Sequence, residues 1–280
     1  MSDSWNPDLY HRFQTDRAKP FHDLLDLVQP LGTGGTDTGG RGASATRLLD
    51  LGCGPGELTA LAHRALGASE TLGVDTSDAM LATAAALDVP GLHFVRGDLR
   101  ELDDLPAPPR GASGGWDAII ANAALQWVPG HREVLADWRD HLRPGGQLAV
   151  QVPANPDHPS HATIAEVLAE EPFFSALDGR PPPDPLLSVQ SPVQYSEMLW
   201  ALGAVEQTVR LEVYGMEMSS WSDVVEWVSG TALVRVRNVL DEDLYEQFLL
   251  RYRERLGERL SHAAPYFYAF QRILVWARFA

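Results

Sequence analysis

The chain of 280 residues has one cysteine, Cys53, one lysine, Lys19, and few bases of any kind. It also has no apolar run near the ~20 residues that a membrane-spanning helix requires. A lone cysteine excludes an internal disulfide framework. Lys and Arg together number 22 against 38 acids, for a formal net charge of −16. Such a surface repels nucleic acid and anionic lipid at long range, so neither is an expected partner. It repels small polyanions as well. The opening stretch "MSDSWNPDLY" has no basic region followed by an apolar core, and is expected not to act as a secretory signal. These absences together predict a cytoplasmic location. No metal and no obligate protein partner are expected.

What is present is an ordinary apolar content of 45% and a concentration of glycine and proline at a few places. Asn6-Pro7 reads as a helix start, with Phe21, Leu24, Leu25 and Val28 following at helical spacing. Residues 1–31 are therefore expected to be an N-terminal helical segment. "GTGGTDTGGRGASAT" cannot bury a core, and residues 32–47 are expected to be a flexible insertion.

From Leu48 the pattern changes to apolar strands alternating with helices. Strands are expected at "RLLDL", "TLGVD" (71–75), "LHFVRGD" (92–98), "WDAIIANAAL" and "GQLAVQVP" (146–153). Helices are expected at 56–66, at 77–87 with Ser77 as cap, and at 131–142. This alternation predicts βαβ units and a parallel sheet buried on both faces, over a core of 48–153. Residues 154–280 read differently. Helices are expected at 194–202, near 220–240 and over 241–260. Strands are expected at "EQTVRLEVYGMEM" and "FQRILVWARFA". Tyr245, Phe248, Leu249, Tyr252 and Leu256 fall on one helical face and read as core.

The stretch "LLDLGCGPGELT" (48–59) places Gly52, Gly54 and Gly56 directly behind a strand. Glycine costs roughly 0.5–1 kcal/mol inside regular structure, so three at alternate positions suggest a close approach to the backbone. A strand, a glycine turn and a helix make a nucleotide-binding unit. Dinucleotides favour G-x-G-x-x-G, but here the third place of that pattern holds Glu57. With Asp50 and Glu57 flanking the turn, a cationic ligand without phosphate fits better, and S-adenosylmethionine has that chemistry. Asp75 ends the second strand 21 residues after Gly54, where a carboxylate can accept two ribose hydroxyls. Thr76 follows it. Asp98 and the backbone of Leu99 are placed for an adenine edge. Asn122, at the end of the fourth strand, is placed for the methionine portion. Cys53 reads as a small residue filling a tight turn, with no base implied beside it.

The successive motifs "LDLGCGPG", "GVDTSDAM", "GDL" and "LRPGGQL" resemble the class I S-adenosylmethionine-dependent methyltransferases over 48–152. That resemblance implies an α/β Rossmann-like sheet of seven strands, five parallel plus an antiparallel C-terminal pair, with helices on both faces and an inserted helical cap. The text after the fourth strand, "NAALQW", lacks the Asn/Asp-Pro-Pro-Tyr pattern of amino-group methyltransferases. The flanks "WNPDLYHRFQTDRAKP", "NAALQWVPGH", "AVQVPANPDHPSH" and "VVEWVSGTAL" resemble the trans-aconitate 2-methyltransferase family. This resemblance implies monomethyl ester formation on a tricarboxylate.

A carboxylate is already ionised at neutral pH, so no catalytic proton-transfer residue is expected and positioning carries the reaction. Candidates for holding the acceptor are Tyr10, Gln126, Trp127, Gln151, Asn155 and Arg235, and Arg17 is a candidate for the cofactor. Where family members carry Gly-Leu-Arg-Pro, this chain has Val234 at the arginine and Arg235 at the proline. Other readings are a different small carboxylate or hydroxyl acceptor, a non-catalytic cofactor-binding protein, and a dehydrogenase.

Overall fold

Apolar runs of five to seven residues, too short for core helices and bounded by turns, become the central strands. The computed structural model describes residues 14–31, 46–106 and 114–280. The elements in chain order are α1 (Gln14–Leu25), β1 (Arg47–Leu51), α2 (Glu57–Ala65), β2 (Glu70–Asp75), α3 (Asp78–Ala84) and β3 (Leu92–Arg96). Then come β4 (Trp116–Asn122), α4 (His131–Asp140), β5 (Leu142–Pro153), α5 (Pro159–Leu168), α6 (Phe173–Ala176) and α7 (Pro192–Ala201). The chain closes with β6 (Ala204–Met218), α8 (Asp223–Ser229), α9 (Val234–Arg237), α10 (Glu242–Gly257) and β7 (Tyr266–Phe279).

The seven strands form one sheet in the order β3-β2-β1-β4-β5-β7-β6. The first five pair in parallel, and β5 pairs antiparallel with β7. The strand order reverses between β1 and β4, the place where open α/β sheets bind ligands beyond the carboxyl ends of their strands. The registers Asp50↔Gly73 and Asn122↔Gln151 set which residues stand side by side there. No helix among the described residues is long and apolar enough to cross a membrane.

Two compact units divide the chain. One holds Ala18–Pro153, Ser188–Glu212 and Arg272–Ala280. Its core joins Phe21 and Leu24 of α1 to Leu48, Ala118, Ile120, Ala149, Leu274 and Trp276 of the sheet. Buried Gln147 ties the end of the N-terminal segment to this core, bonding both the N–H and the carbonyl of Gln29. The other unit holds Ala154–Leu187 and Val213–Gln271. Its core is aromatic. Tyr245, Phe248 and Tyr252 stack along α10, as the helical spacing predicts, and Leu249 packs against the same cluster. Tyr252 donates to the Ser160 carbonyl at 2.7 Å.

Several boundaries differ from the sequence reading. The fourth strand stops at Asn122, because Ala123 adopts φ +54° and Leu125–Trp127 form a 3-10 turn. The third strand ends at Arg96, so Asp98 lies two residues beyond it. The helical region near 220–240 is two short helices, and α5 was not anticipated. Ser77 caps α3, accepting from Met80 N at 3.2 Å. The expected insertion over 32–45 and the loop over 107–113 lie outside the described residues.

Candidate active site

The glycine turn after β1 is stitched to β2 by three hydrogen bonds. Gly52 N and Cys53 N both donate to the Val74 carbonyl, at 2.8 and 3.0 Å. Gly54 N donates to Asp75 Oδ2 at 2.9 Å. Asp75 Oδ1 accepts from Ser77 N at 2.9 Å. A carboxylate offers about four acceptor positions, so two remain for a ligand. Thr76 is exposed beside it.

The three glycines serve different needs. A Cβ on Gly52 would lie 2.3 Å from Ala124 Cβ, which brings this turn against the segment that follows β4. A Cβ on Gly56 would meet the Phe94 ring at 2.6 Å. Above Gly54 nothing stands within 4 Å. The close approach inferred from sequence is therefore by protein at Gly52 and Gly56, while Gly54 alone leaves backbone open to a ligand.

Asp50 lies under the turn, 3% exposed, and accepts from Thr59 Oγ1 at 2.6 Å. Burial is the main reason its carboxyl is raised to about 7. The Thr59 bond opposes that rise and the charge of Asp75 adds to it. Burial likewise pushes the Cys53 thiol far up, which leaves it un-ionised and unreactive.

On the far side of β2, the carboxylate of Asp98 accepts from Arg100 N and Nε, each at 2.9 Å, and from Arg100 Nη2 at 2.5 Å. The Arg100 hydrogen bond is the largest of the effects that hold Asp98 below its ordinary value. The Leu99 carbonyl accepts from Trp138 Nε1 of α4 at 2.7 Å.

Beyond β4 and β5 stands a group of amides. Asn122 and Gln151 are register partners. Ala123 N donates to the Gln151 carbonyl at 2.9 Å, and Gln126 Nε2 donates to the Ala123 carbonyl at 2.6 Å. Asn122 Oδ1, Gln126 Oε1 and Gln151 Nε2 are buried with no hydrogen-bond partner among the described residues. Each such orphan costs about 1–3 kcal/mol unless a ligand completes it. Trp127 is 41% exposed next to them.

A bare backbone over Gly54, spare acceptors on Asp75 and orphaned amides two strands away fit a ligand with a sugar and a charged, polar tail. S-adenosylmethionine has these parts.

Tyr10 lies outside the described residues, as does the side chain of Arg17, whose backbone is in α1. Asn155 and Arg235 belong to the aromatic unit. Arg235 is buried there. Its Nη1 donates to the Pro182 carbonyl at 2.6 Å and its Nη2 to Asp184 at 3.3 Å. Arg237 pairs with Glu242 and lies over the Tyr245 ring.

Sequence reasoning missed Thr59, Phe94 and Trp138. Phe94 had one signal: the register Gly73↔Phe94 puts the ring against a second glycine. Trp138 had none beyond its place on an apolar helical face.

This strand order, with a glycine turn after β1 and an acid ending β2, defines the class I S-adenosylmethionine-dependent methyltransferases. The family profile described as "Methyltransferase domain" matches residues 49–148. The YcgJ protein of Bacillus subtilis has a similar fold, with TM-score 0.56 at 14% identity over 93% of this chain and 98% of that one.

Particular relatives go further. A trans-aconitate 2-methyltransferase of Deinococcus radiodurans is 39% identical over 275 residues, 97% of this chain and 96% of the relative. One of Paracidovorax citrulli is 35% identical over 98% of both chains. One of Mycobacterium tuberculosis is 34% identical over 93% of this chain and 89% of its own. The chain belongs to the trans-aconitate 2-methyltransferase family.

Proposed function

We propose that this methyltransferase esterifies one carboxylate of a small polycarboxylic acid, trans-aconitate first among them, in the cytoplasm and without nucleic acid, membrane or obligate protein partner. The observation that carries the reading is the set of unpartnered amides on Asn122, Gln126 and Gln151. Gln151 Nε2 is a neutral donor that suits a carboxylate in a chain of net charge −16, whereas Asn122 Oδ1 and Gln126 Oε1 are acceptors and suit the ammonium group of the cofactor.

When bound, the cofactor supplies an electrophilic methyl on a cationic sulfur, and its displacement leaves a neutral thioether. Asp75 takes the ribose hydroxyls, with Thr76 beside it. Asp98 and the Leu99 N–H take the adenine edge. Gly52, Gly54 and Gly56 shape the turn over Asp50, and Asn122 faces the amino-acid end. Gln126, Trp127 and Gln151 border the acceptor. The acceptor carboxylate has an ordinary acid strength near 4, so no side chain needs to remove a proton, and alignment and water exclusion do the work. For Tyr10, Arg17, Asn155 and Arg235 the assignment rests on the sequence alone. In domain terms, 48–153 is the cofactor core, 1–31 an N-terminal cap, 32–47 an insertion, and 154–280 the acceptor-side region with the last two strands.

A second reading, a different small carboxylate or hydroxyl acceptor, is favoured by the commitment of Arg235 to Pro182 and Asp184. Incubation with methyl-labelled S-adenosylmethionine and a panel of di- and tricarboxylates separates the two. Labelled ester is expected with trans-aconitate in preference to citrate, succinate or fumarate. Folded, cofactor-binding protein that yields no ester from any acid would overturn the proposal.

A further inference from the structure

The loop carrying Asp98 and Leu99 is short and partly exposed, and several of its backbone groups are fastened. Gly97 N donates to the Asp75 carbonyl at 3.1 Å, and Glu101 N to the Asp98 carbonyl at 3.0 Å. The last fastening comes from outside the loop. Trp138 of α4, fully buried, reaches the Leu99 carbonyl with its indole N–H at 2.7 Å. A buried indole N–H needs an acceptor, and most available carbonyls are consumed within strands and helices. This one belongs to the residue next to Asp98. Turning the Leu99 carbonyl toward α4 limits how the peptide before it can rotate, and that peptide carries the Leu99 N–H.

We propose that Trp138 is a positioning residue for the nucleobase end of the cofactor: by holding the Leu99 carbonyl, it fixes the orientation in which Asp98 and Leu99 read the adenine edge. The inference rests on the assignment of those two residues to adenine. Trp138 touches no ligand itself. Its effect is on selectivity for the base, whereas a tryptophan that only filled the core would leave that selectivity alone.

The test compares the affinities of S-adenosylhomocysteine and S-inosylhomocysteine, which lacks the adenine amino group, by calorimetry. Wild-type protein is expected to prefer the adenosyl compound about tenfold or more, the worth of a hydrogen bond to a charged acceptor. Trp138→Phe keeps an apolar ring but loses the donor. It is expected to bring the preference close to unity, and to raise KM for S-adenosylmethionine with little change in kcat. Equal affinities in the wild type would overturn the adenine assignment. A preference that persists in a folded Trp138→Phe protein would overturn the role of Trp138 alone.

A second measurement needs no variant. Hydrogen exchange of the Trp138 indole N–H in wild-type protein is expected to slow much more with the adenosyl than with the inosyl compound. Equal slowing by both would equally overturn the proposal.

Discussion

Asp50, next to the end of β1, and Asp75, the last residue of β2, stand on neighbouring strands, yet they do opposite things. Asp75 lies at the surface of the turn, and its two oxygens already organise Gly54 and Ser77. Asp75→Ala is expected to lower affinity for S-adenosylhomocysteine by about tenfold or more, since two hydroxyls lose a charged acceptor. Calorimetry reads this, with a thermal melt to verify folding. Asp50 is sealed beneath, with its carboxyl raised from 3.8 to about 7 chiefly by burial. The folded protein therefore holds a proton there that the unfolded chain has released. Stability from this site is complete below 3.8, declines as pH rises through about 7, and is level above that. Asp50→Asn should remove the decline. Urea midpoints are expected to match those of wild type near pH 4 and to exceed them at pH 8. Asp75 was legible from its distance to the glycines. The burial of Asp50 was not, because one strand residue's exposure depends on neighbours from other parts of the chain.

At the scale of elements, the glycine turn separates two kinds of requirement. Gly54 has φ +55° and open space above it, whereas Gly56 has φ +83° and the Phe94 ring against it. Gly54→Ala is expected to cost roughly 1–2 kcal/mol of stability, the strain of a left-handed backbone, and to abolish measurable cofactor binding. Gly56→Ala adds a clash to similar strain and is expected to lose more stability than Gly54→Ala. Urea denaturation ranks the two, and calorimetry on the folded Gly54 variant checks the binding loss. The alternating strands and helices were readable because strands buried on both faces are written as short apolar runs. The end of β4 was not. "WDAIIANAAL" is mostly apolar as far as Leu125, and nothing in alanine chemistry announces the positive φ at Ala123 that ends the strand. Nor did sequence reveal that Arg235, an anion-binding candidate by residue type, is held by Pro182 and Asp184 within its own unit.

For the whole molecule, charge sets the terms on which a substrate arrives. A trianion approaching a chain of net charge −16 meets repulsion that extends ~30 Å at 10 mM salt and ~8 Å at 150 mM. Raising sodium chloride across that range is expected to lower KM for a tricarboxylate several-fold. It should slightly raise KM for S-adenosylmethionine, which carries net positive charge. Initial rates at both salt concentrations test this, and a tricarboxylate KM that rises with salt would reveal a cationic local field at the site. Composition predicted the sign of this field, and Asn122, Gln126 and Gln151 were named from the sequence, but that Asn122 stands beside Gln151 followed only from the pairing of β4 with β5.

Cys53 is the chain's one cysteine, and it is shut inside the glycine turn after β1. The protein is thus supplied with its own reporter. A maleimide can reach the sulfur only in moments when the turn comes apart, so the speed of alkylation counts those openings, and a bound nucleoside that clamps the turn should make the count fall.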